Sequence, residues 1–165
     1  MSGVGAYIEN ISFDDVHVTF PGGGTTADGA VRDVPKLVGE YYATGVFPAY
    51  ALYARNVRGL TLNNVRLEVS GAELRPAVVF DRVEDAAVNG LSVEADTGAE
   101  SVARFIDSRD VLLNAVRVIE PGPVFLRVEG AESHTITIDG GDISKSVNPV
   151  SVGAGAAETS VKVRT

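Results

Sequence analysis

The eight residues LTLNNVRL, Leu60 to Leu67, decide the fold. Apolar side chains stand at Leu60, Leu62, Val65 and Leu67, two alternating pairs separated by two asparagines. Alternation places both members of each pair on one side of a short strand, and the asparagines read as the bend between two strands. The same phrase occurs at Ile11, Phe13, Val16, Val18, at Ala86, Val88, Leu91, Val93, and at Val111, Leu113, Val116, Val118. A worn copy follows at Ile136, Ile138 and Ile143, and another opens at Val161 and Val163. Successive copies from Leu60 to Val161 begin 26, 25, 25 and 25 residues apart, the signature of a solenoid with one repeat per turn. Helical repeats need longer apolar stretches at a period of about 3.6 residues, and these windows are short, β-branched and broken by Gly or Asn. The reading is an all-β parallel β-helix of about six coils, a single domain over residues 1–165.

A second column runs beside the first. The residue after the second apolar position is Asp14, Asn63, Asn89, Asn114 and Asp139 in turn. These types tolerate left-handed backbone and cap their own turns, so the column is expected at the bend, stacked as an internal hydrogen-bonding ladder. That placement gives the Asp14 and Asp15 pair a structural reason to exist.

Composition narrows the function. The chain of 165 residues is 45% apolar, has no Cys, and carries 14 basic against 22 acidic residues for a net charge of −8. No apolar run reaches the roughly 18 residues of a membrane helix, no signal peptide precedes the first strand, and the acidic balance argues against nucleic acid and favours a neutral or weakly charged partner. No cofactor is expected: the PGGG stretch at Pro21 lacks the strand, Lys and helix of a phosphate loop. No metal site is expected either. His17 lies between inward Val16 and Val18 and therefore points outward, His134 is far from it in sequence, and Asp139 and Asp142 fit turn geometry better than a calcium loop.

One interval breaks the period. From Ile11 to Leu60 is 49 residues, so an excursion of about one coil is expected within Pro21 to Pro48, and functional loops commonly decorate such scaffolds. It carries Tyr41, Tyr42 and Phe47 with the adjoining Tyr50, four of a total of five Tyr and six Phe, beside Asp33, Lys36 and Glu40. Flat rings suit sugar rings; equally, they can pin the excursion to the coils. A third inward column is expected at Ala54, Phe80, Phe105 and Val128, with a two-residue insertion near Glu129. Its neighbours Tyr53, Val79, Arg104 and Arg127, and Arg55, Asp81, Ile106 and Glu129, should then face solvent. The candidate carbohydrate-binding set is Tyr41, Tyr42, Phe47, Tyr50, Tyr53, Arg55, Asp81, Arg104, Arg127 and Glu129, with an ordinary solvated face of cross-strand ion pairs as the other reading.

The stretches FPAYALYARNVRGLTLNNVRL, Phe47 to Leu67, LRPAVVFDRVEDAAVNGL, Leu74 to Leu91, and IENISFDDVHVTFPGGG, Ile8 to Gly24, resemble the later coils of polygalacturonase-like glycosidases, glycoside hydrolase family 28. The resemblance covers Ile8 to Val118. It implies a right-handed parallel β-helix, a carbohydrate context such as pectin or xylan, and an extracellular or periplasmic location. The family's NTD, DD, GHG and RIK motifs are not present as such: the Asp14–Asp15 pair lacks the family's flanks, and neither histidine has glycine neighbours. An inverting glycosidase needs an acid and a base about 6.5 to 9.5 Å apart, and no catalytic residue is assigned. The resulting expectation is a non-catalytic module that binds a plant cell-wall polysaccharide. A C-terminal fragment of a pectin-degrading hydrolase lacking its catalytic coils is the alternative, and a structural or adhesive solenoid a third. Since open β-helix ends expose strand edges and core, the chain is expected to belong to a longer protein, or to cover its ends with a neighbouring domain or an end-to-end homodimer.

Overall fold

A computed structural model of the chain describes residues 6–34 and 46–164. The strands are β1 (Ile8–Phe20), β2 (Leu52–Val69), β3 (Val78–Asn89), β4 (Ser92–Val93), β5 (Ser101–Ile106), β6 (Arg109–Val118), β7 (Val124–Glu129), β8 (His134–Asp142), β9 (Val150–Val152) and β10 (Val161–Arg164), with a short α-helix, α1 (Thr26–Gly29), and a 3-10 turn at Glu158–Ser160. All strand pairs are parallel, and the chain winds through about five turns of a β-solenoid.

The register follows the apolar phrase. Ile11 lies beside Leu60, Leu60 beside Ala86, Ala86 beside Val111, Val111 beside Ile136, and Ile136 beside Val161. These columns fill the interior: Leu60, Leu62, Val88, Val111, Leu113, Ile136 and Ile138 are at most 3% exposed. The third inward column also forms as expected, Ala54 on Phe80 on Phe105 on Val128. Within it the rings of Phe80 and Phe105 stack with centroids 4.6 Å apart, near the strand spacing.

Each coil closes on itself because backbone in the left-handed region bends the strands at three corners. One corner is Asn10, Gly59, Asp85, Asp110 and Thr135; the next is Asp15, Asn64, Gly90, Ala115 and Gly140; the third is Asn56, Arg82, Asp107, Gly130 and Gly155. The second corner corrects the sequence reading by one position. Asp14, Asn63, Asn89, Asn114 and Asp139 do stack in register, but the residues after them take the positive φ. The ladder is also external rather than internal, with Asn63 Nδ2 donating to Asp14 Oδ1 at 2.6 Å and Asn89 Nδ2 to Asn63 Oδ1 at 2.9 Å near the surface. The expected two-residue insertion is Ala131–Glu132, tied down by the Glu132 amide donating to Asp107 Oδ1 at 3.2 Å.

One column changes character along the solenoid. Val57 and Val83 are followed by buried Ser108, Ser133 and Ser160. Ser108 Oγ accepts from the Val83 amide at 3.1 Å, Ser133 Oγ from the Ser108 amide at 3.2 Å, and Ser160 Oγ donates to the Ser133 carbonyl at 2.8 Å.

Two substitutions test this account by thermal or urea unfolding. Ala115 holds φ +53° where its column otherwise carries Asp, Asn or Gly, so Ala115→Gly is expected to stabilise the fold by roughly 0.5 kcal/mol, relief of left-handed strain exceeding the added chain entropy. Phe105→Ala, which empties a ring position 1% exposed, is expected to cost about 3–5 kcal/mol. An unchanged or lower stability in the first variant would count against the strained-corner account.

Candidate functional site: a strapped sheet face and the concavity beside it

The outward side of the third column is built from the starts of β2 and β3 and from β5, β7 and β9. Tyr53, Val79, Arg104, Arg127 and Ser151 form one line along it; Arg55, Asp81, Ile106 and Glu129 form the next. The sequence reading placed both lines in solvent. The structure corrects this: Val79 and Arg104 are fully buried, Asp81 is 5% and Glu129 6% exposed.

The cover is the first part of the excursion, residues 21–34. It leaves β1 by running against residues 71–74, where the Gly23 amide donates to the Ala72 carbonyl at 2.7 Å and the Leu74 amide to the Gly24 carbonyl at 3.0 Å. So close an approach requires glycine: a Cβ on Gly22 would lie 2.7 Å from the Ala72 oxygen, and one on Gly24 2.0 Å from Glu73 Oε1. Gly22 is therefore a steric requirement of the strap against the backbone of residues 71–72, and Gly24 against the Glu73–Arg75 pair. Helix α1 is a single turn closed by a capping box between Thr25 and Asp28.

Beyond α1 the strap is held to the sheet by arginines. Arg104 Nη1 donates to the Gly29 carbonyl at 2.6 Å and Nη2 to the Val31 carbonyl at 3.1 Å, and Arg55 Nη1 donates to the Val34 carbonyl. In the other direction, Arg32 grips Glu129 with Nε at 2.8 Å and Nη2 at 2.9 Å, and reaches both oxygens of Glu100 at 2.8 and 2.9 Å. Arg127 Nε donates to Glu129 Oε1 at 2.6 Å, and Arg104 Nη1 to Glu100 Oε2 at 3.0 Å. Three guanidiniums thus share two carboxylates. Burial pushes the Glu129 carboxyl up, but the bonds from Arg32 and Arg127 outweigh it and hold the group at about 2. Burial, reinforced by nearby Arg32, pushes the Arg104 pKa down.

The aromatic residues that fall among the described positions gather at the edge of this face. Phe47, Ala49, Tyr50, Ala51, Leu52, Tyr53 and Arg75 line a concavity of about 360 Å³. The rings of Phe47 and Tyr53, both half-buried, lie 5.6 Å apart and tilted by 31°. Tyr53 Oη donates to Asp81 Oδ2 at 3.1 Å; burial and the Asp81 charge push its hydroxyl up to about 12, against the opposing influence of Arg55. Tyr50 takes the second of the two roles the sequence left open for these rings, a pin onto the coils. It is 6% exposed, sits edge-on to Phe20 with centroids 5.4 Å apart, and donates its hydroxyl to the Glu94 carbonyl at 2.5 Å, so it closes the coil and shows little of its ring to solvent. Tyr41 and Tyr42, with Lys36 and Glu40, lie outside the described residues.

Arg75 is a member of the concavity that the sequence did not reveal. Its Nε and Nη2 donate to the two oxygens of fully buried Glu73 at 2.7 and 2.8 Å, and Glu73 also accepts from the Gly24 amide at 3.2 Å. Burial pushes the Glu73 carboxyl up, but the bonds from Arg75 and Gly24 hold it below its ordinary value. The available signal was the spacing of Glu73 and Arg75, which in an extended segment puts both on one side. Arg32 offered no signal beyond its place in the excursion.

The remaining candidates are unassembled. His17 is outward, as expected, and pairs with Glu68 across the β1–β2 edge. Among the described residues no group of three or more His, Asp or Glu side chains is arranged to hold a metal ion, and no helix is long and apolar enough to cross a membrane. Comparison with family models, curated proteins and solved structures returned no match, so the polygalacturonase-like resemblance rests on the quoted residues alone.

The Glu129 cluster carries a pH signature. With a folded value near 2 against an ordinary carboxylate value of 4.5, its stabilisation is fully present above pH 4.5 and is lost as pH falls toward 2. Glu129→Gln is expected to lower stability at pH 7 by up to about 3 kcal/mol and to flatten the fall in melting temperature over that acid window. A wild-type acid slope that the variant reproduces would remove Glu129 as its source.

Proposed function

We propose that this chain is a non-catalytic glycan-binding module whose contact surface is the Phe47–Tyr53 pair and the concavity it lines. The pair carries the reading: two rings mounted side by side at the edge of a rigid sheet offer apolar faces to the C–H faces of a sugar, with Arg75, bonded to Glu73 and to the Phe47 carbonyl, walling the concavity beside them. Tyr53 is fixed by strand pairing and its bond to Asp81, and Arg75 donates to the Phe47 carbonyl, which lowers the ordering needed on binding.

The electrostatics favour binding over hydrolysis. A glycosidase keeps one carboxylic acid protonated by raising its pKa. Around this face Glu73 and Glu129 are instead held ionised by arginines. The guanidiniums of Arg55, Arg75 and Arg127 already face carboxylates, which disfavours a polyuronate such as pectin and favours a neutral plant polysaccharide such as xylan or a glucan. A hydrolase fragment takes second place because its acid and base must then come from elsewhere. The carbohydrate setting would place the module outside the cytoplasm.

Affinity gel electrophoresis against neutral xylans, glucans and homogalacturonan tests the reading. Retardation by a neutral glycan is expected, with tenfold or greater weakening in Phe47→Ala and near-normal retardation in Tyr53→Phe, which keeps the ring. Equal retardation of Phe47→Ala and wild type, or none by any glycan, would overturn it.

A further inference from the structure

The two ends of the solenoid differ in charge while matching in register. At one end, β1 pairs on a single side, with β2; at the other, β10 pairs with β8. Their outer edges are unpaired among the described residues. The β1 edge carries Glu9, Asp14 and Asp15 and no Lys or Arg, whereas β10 carries Lys162 and Arg164 and no acid. Both edges also show apolar residues that elsewhere in their columns are buried: Phe13 and Val163 are each 42% exposed and Val18 is 37% exposed. Behind the β1 edge lies an apolar hollow of about 120 Å³ lined by residues including Phe13, Val16, Val18, Leu62, Val65 and Leu67.

Column by column, β10 is the strand that β1 lacks. Val161 and Val163 continue the inward columns that begin at Ile11 and Phe13, and Arg164 ends the column that begins at Asp14. The chain already makes the ion pair in question: Arg164 Nη1 lies 3.3 Å from Asp139 Oδ2 on the strand beside it, with the Arg164 side chain 53% exposed.

We propose that a second copy of this chain docks head to tail, its β10 adding in parallel to β1. Val161 and Val163 of one copy would stack on Ile11 and Phe13 of the next, and Arg164 would lie between Asp139 of its own chain and Asp14 of its neighbour. The charges decide the polarity. Two β1 edges paired with each other would oppose acid to acid, and two β10 edges base to base. Because the contact joins different patches, it does not close, and assembly proceeds as an open stack. Its area is that of one four-residue strand pair plus flanking side chains, which makes it a weak, reversible contact. The inference is independent of the glycan reading.

Sedimentation velocity of the 165-residue chain, run at rising protein concentration and at low and high salt, tests it. Wild type is expected to grow in mass with concentration at low salt, and less so at high salt. Asp14→Arg and Arg164→Asp should each remain monomeric alone, an equimolar mixture of the two should regain association as an alternating stack, and the double variant in one chain should regain association as well. Circular dichroism of each variant checks folding, with Lys162→Glu as a second change on the β10 edge expected to weaken association at least tenfold. A wild type monomeric throughout would overturn the proposal, as would single variants whose equimolar mixture fails to associate. A dimer unaffected or strengthened by Asp14→Arg would identify a symmetric β1–β1 pair in its place.

Discussion

Parallel pairing of each coil on the last is the constraint from which the rest follows. Neighbouring strands are held at about 4.8 Å, so every coil must return to the same cross-section before it can bond to its predecessor. A side chain on one coil is thereby stacked on its counterpart in the next. The Phe80–Phe105 ring stack, the isoleucine and leucine columns and the Asp–Asn ladder are expressions of that repetition. The corners obey it too: three left-handed residues per coil recur at matching positions, and Asp, Asn and Gly occupy most of them.

Much of this was legible in the sequence because the repetition is periodic. The apolar phrase gave the pairing register of β1, β2, β3, β6, β8 and β10, and the column through Ala54 and Phe80 gave the third face. The left-handed position was misplaced by one residue because Asn63 and Asn64 are both good corner residues and only the second is used as one. The site was less legible. Arg104 and Glu129 were assigned to solvent because alternation says which way a side chain leaves the sheet, and nothing in it says whether another segment will cover that side. The non-repeating excursion supplies the cover, and its contacts, Arg32 to Glu100 and Glu129 above all, span 68 and 97 residues. For Tyr50 the sequence left two roles open, sugar contact or a pin onto the coils, and its packing on Phe20 fits the second. It follows the excursion directly, and its hydroxyl reaches back to the Glu94 carbonyl inside the coil.

The strap is attached by charge and main-chain polarity more than by apolar burial. Among its described residues only Gly29 and Val34 are buried, while arginines on the sheet reach its carbonyls and its own Arg32 reaches two carboxylates. Planar guanidiniums suit this role because each can serve a carbonyl and a carboxylate at once. The strap also supplies a wall for the proposed glycan surface: Gly24 packs on the Glu73–Arg75 pair, and Arg75 donates onward to the Phe47 carbonyl at 3.4 Å.

The column in which valine gives way to serine has a mechanical meaning. At Val57 and Val83 adjacent coils cohere through apolar contact, whereas at Ser108, Ser133 and Ser160 they cohere through single hydroxyl-to-backbone bonds. In the same late coils Gly141 stands in the column of Val116 and contributes no core side chain. A solenoid is a chain of nearest-neighbour couplings, and here the couplings weaken from the β3 side toward β10. Along this column, then, the solenoid has a graded stiffness: the coils between β2 and β3 are joined by apolar packing, and those toward β10 by bonds that water can compete for.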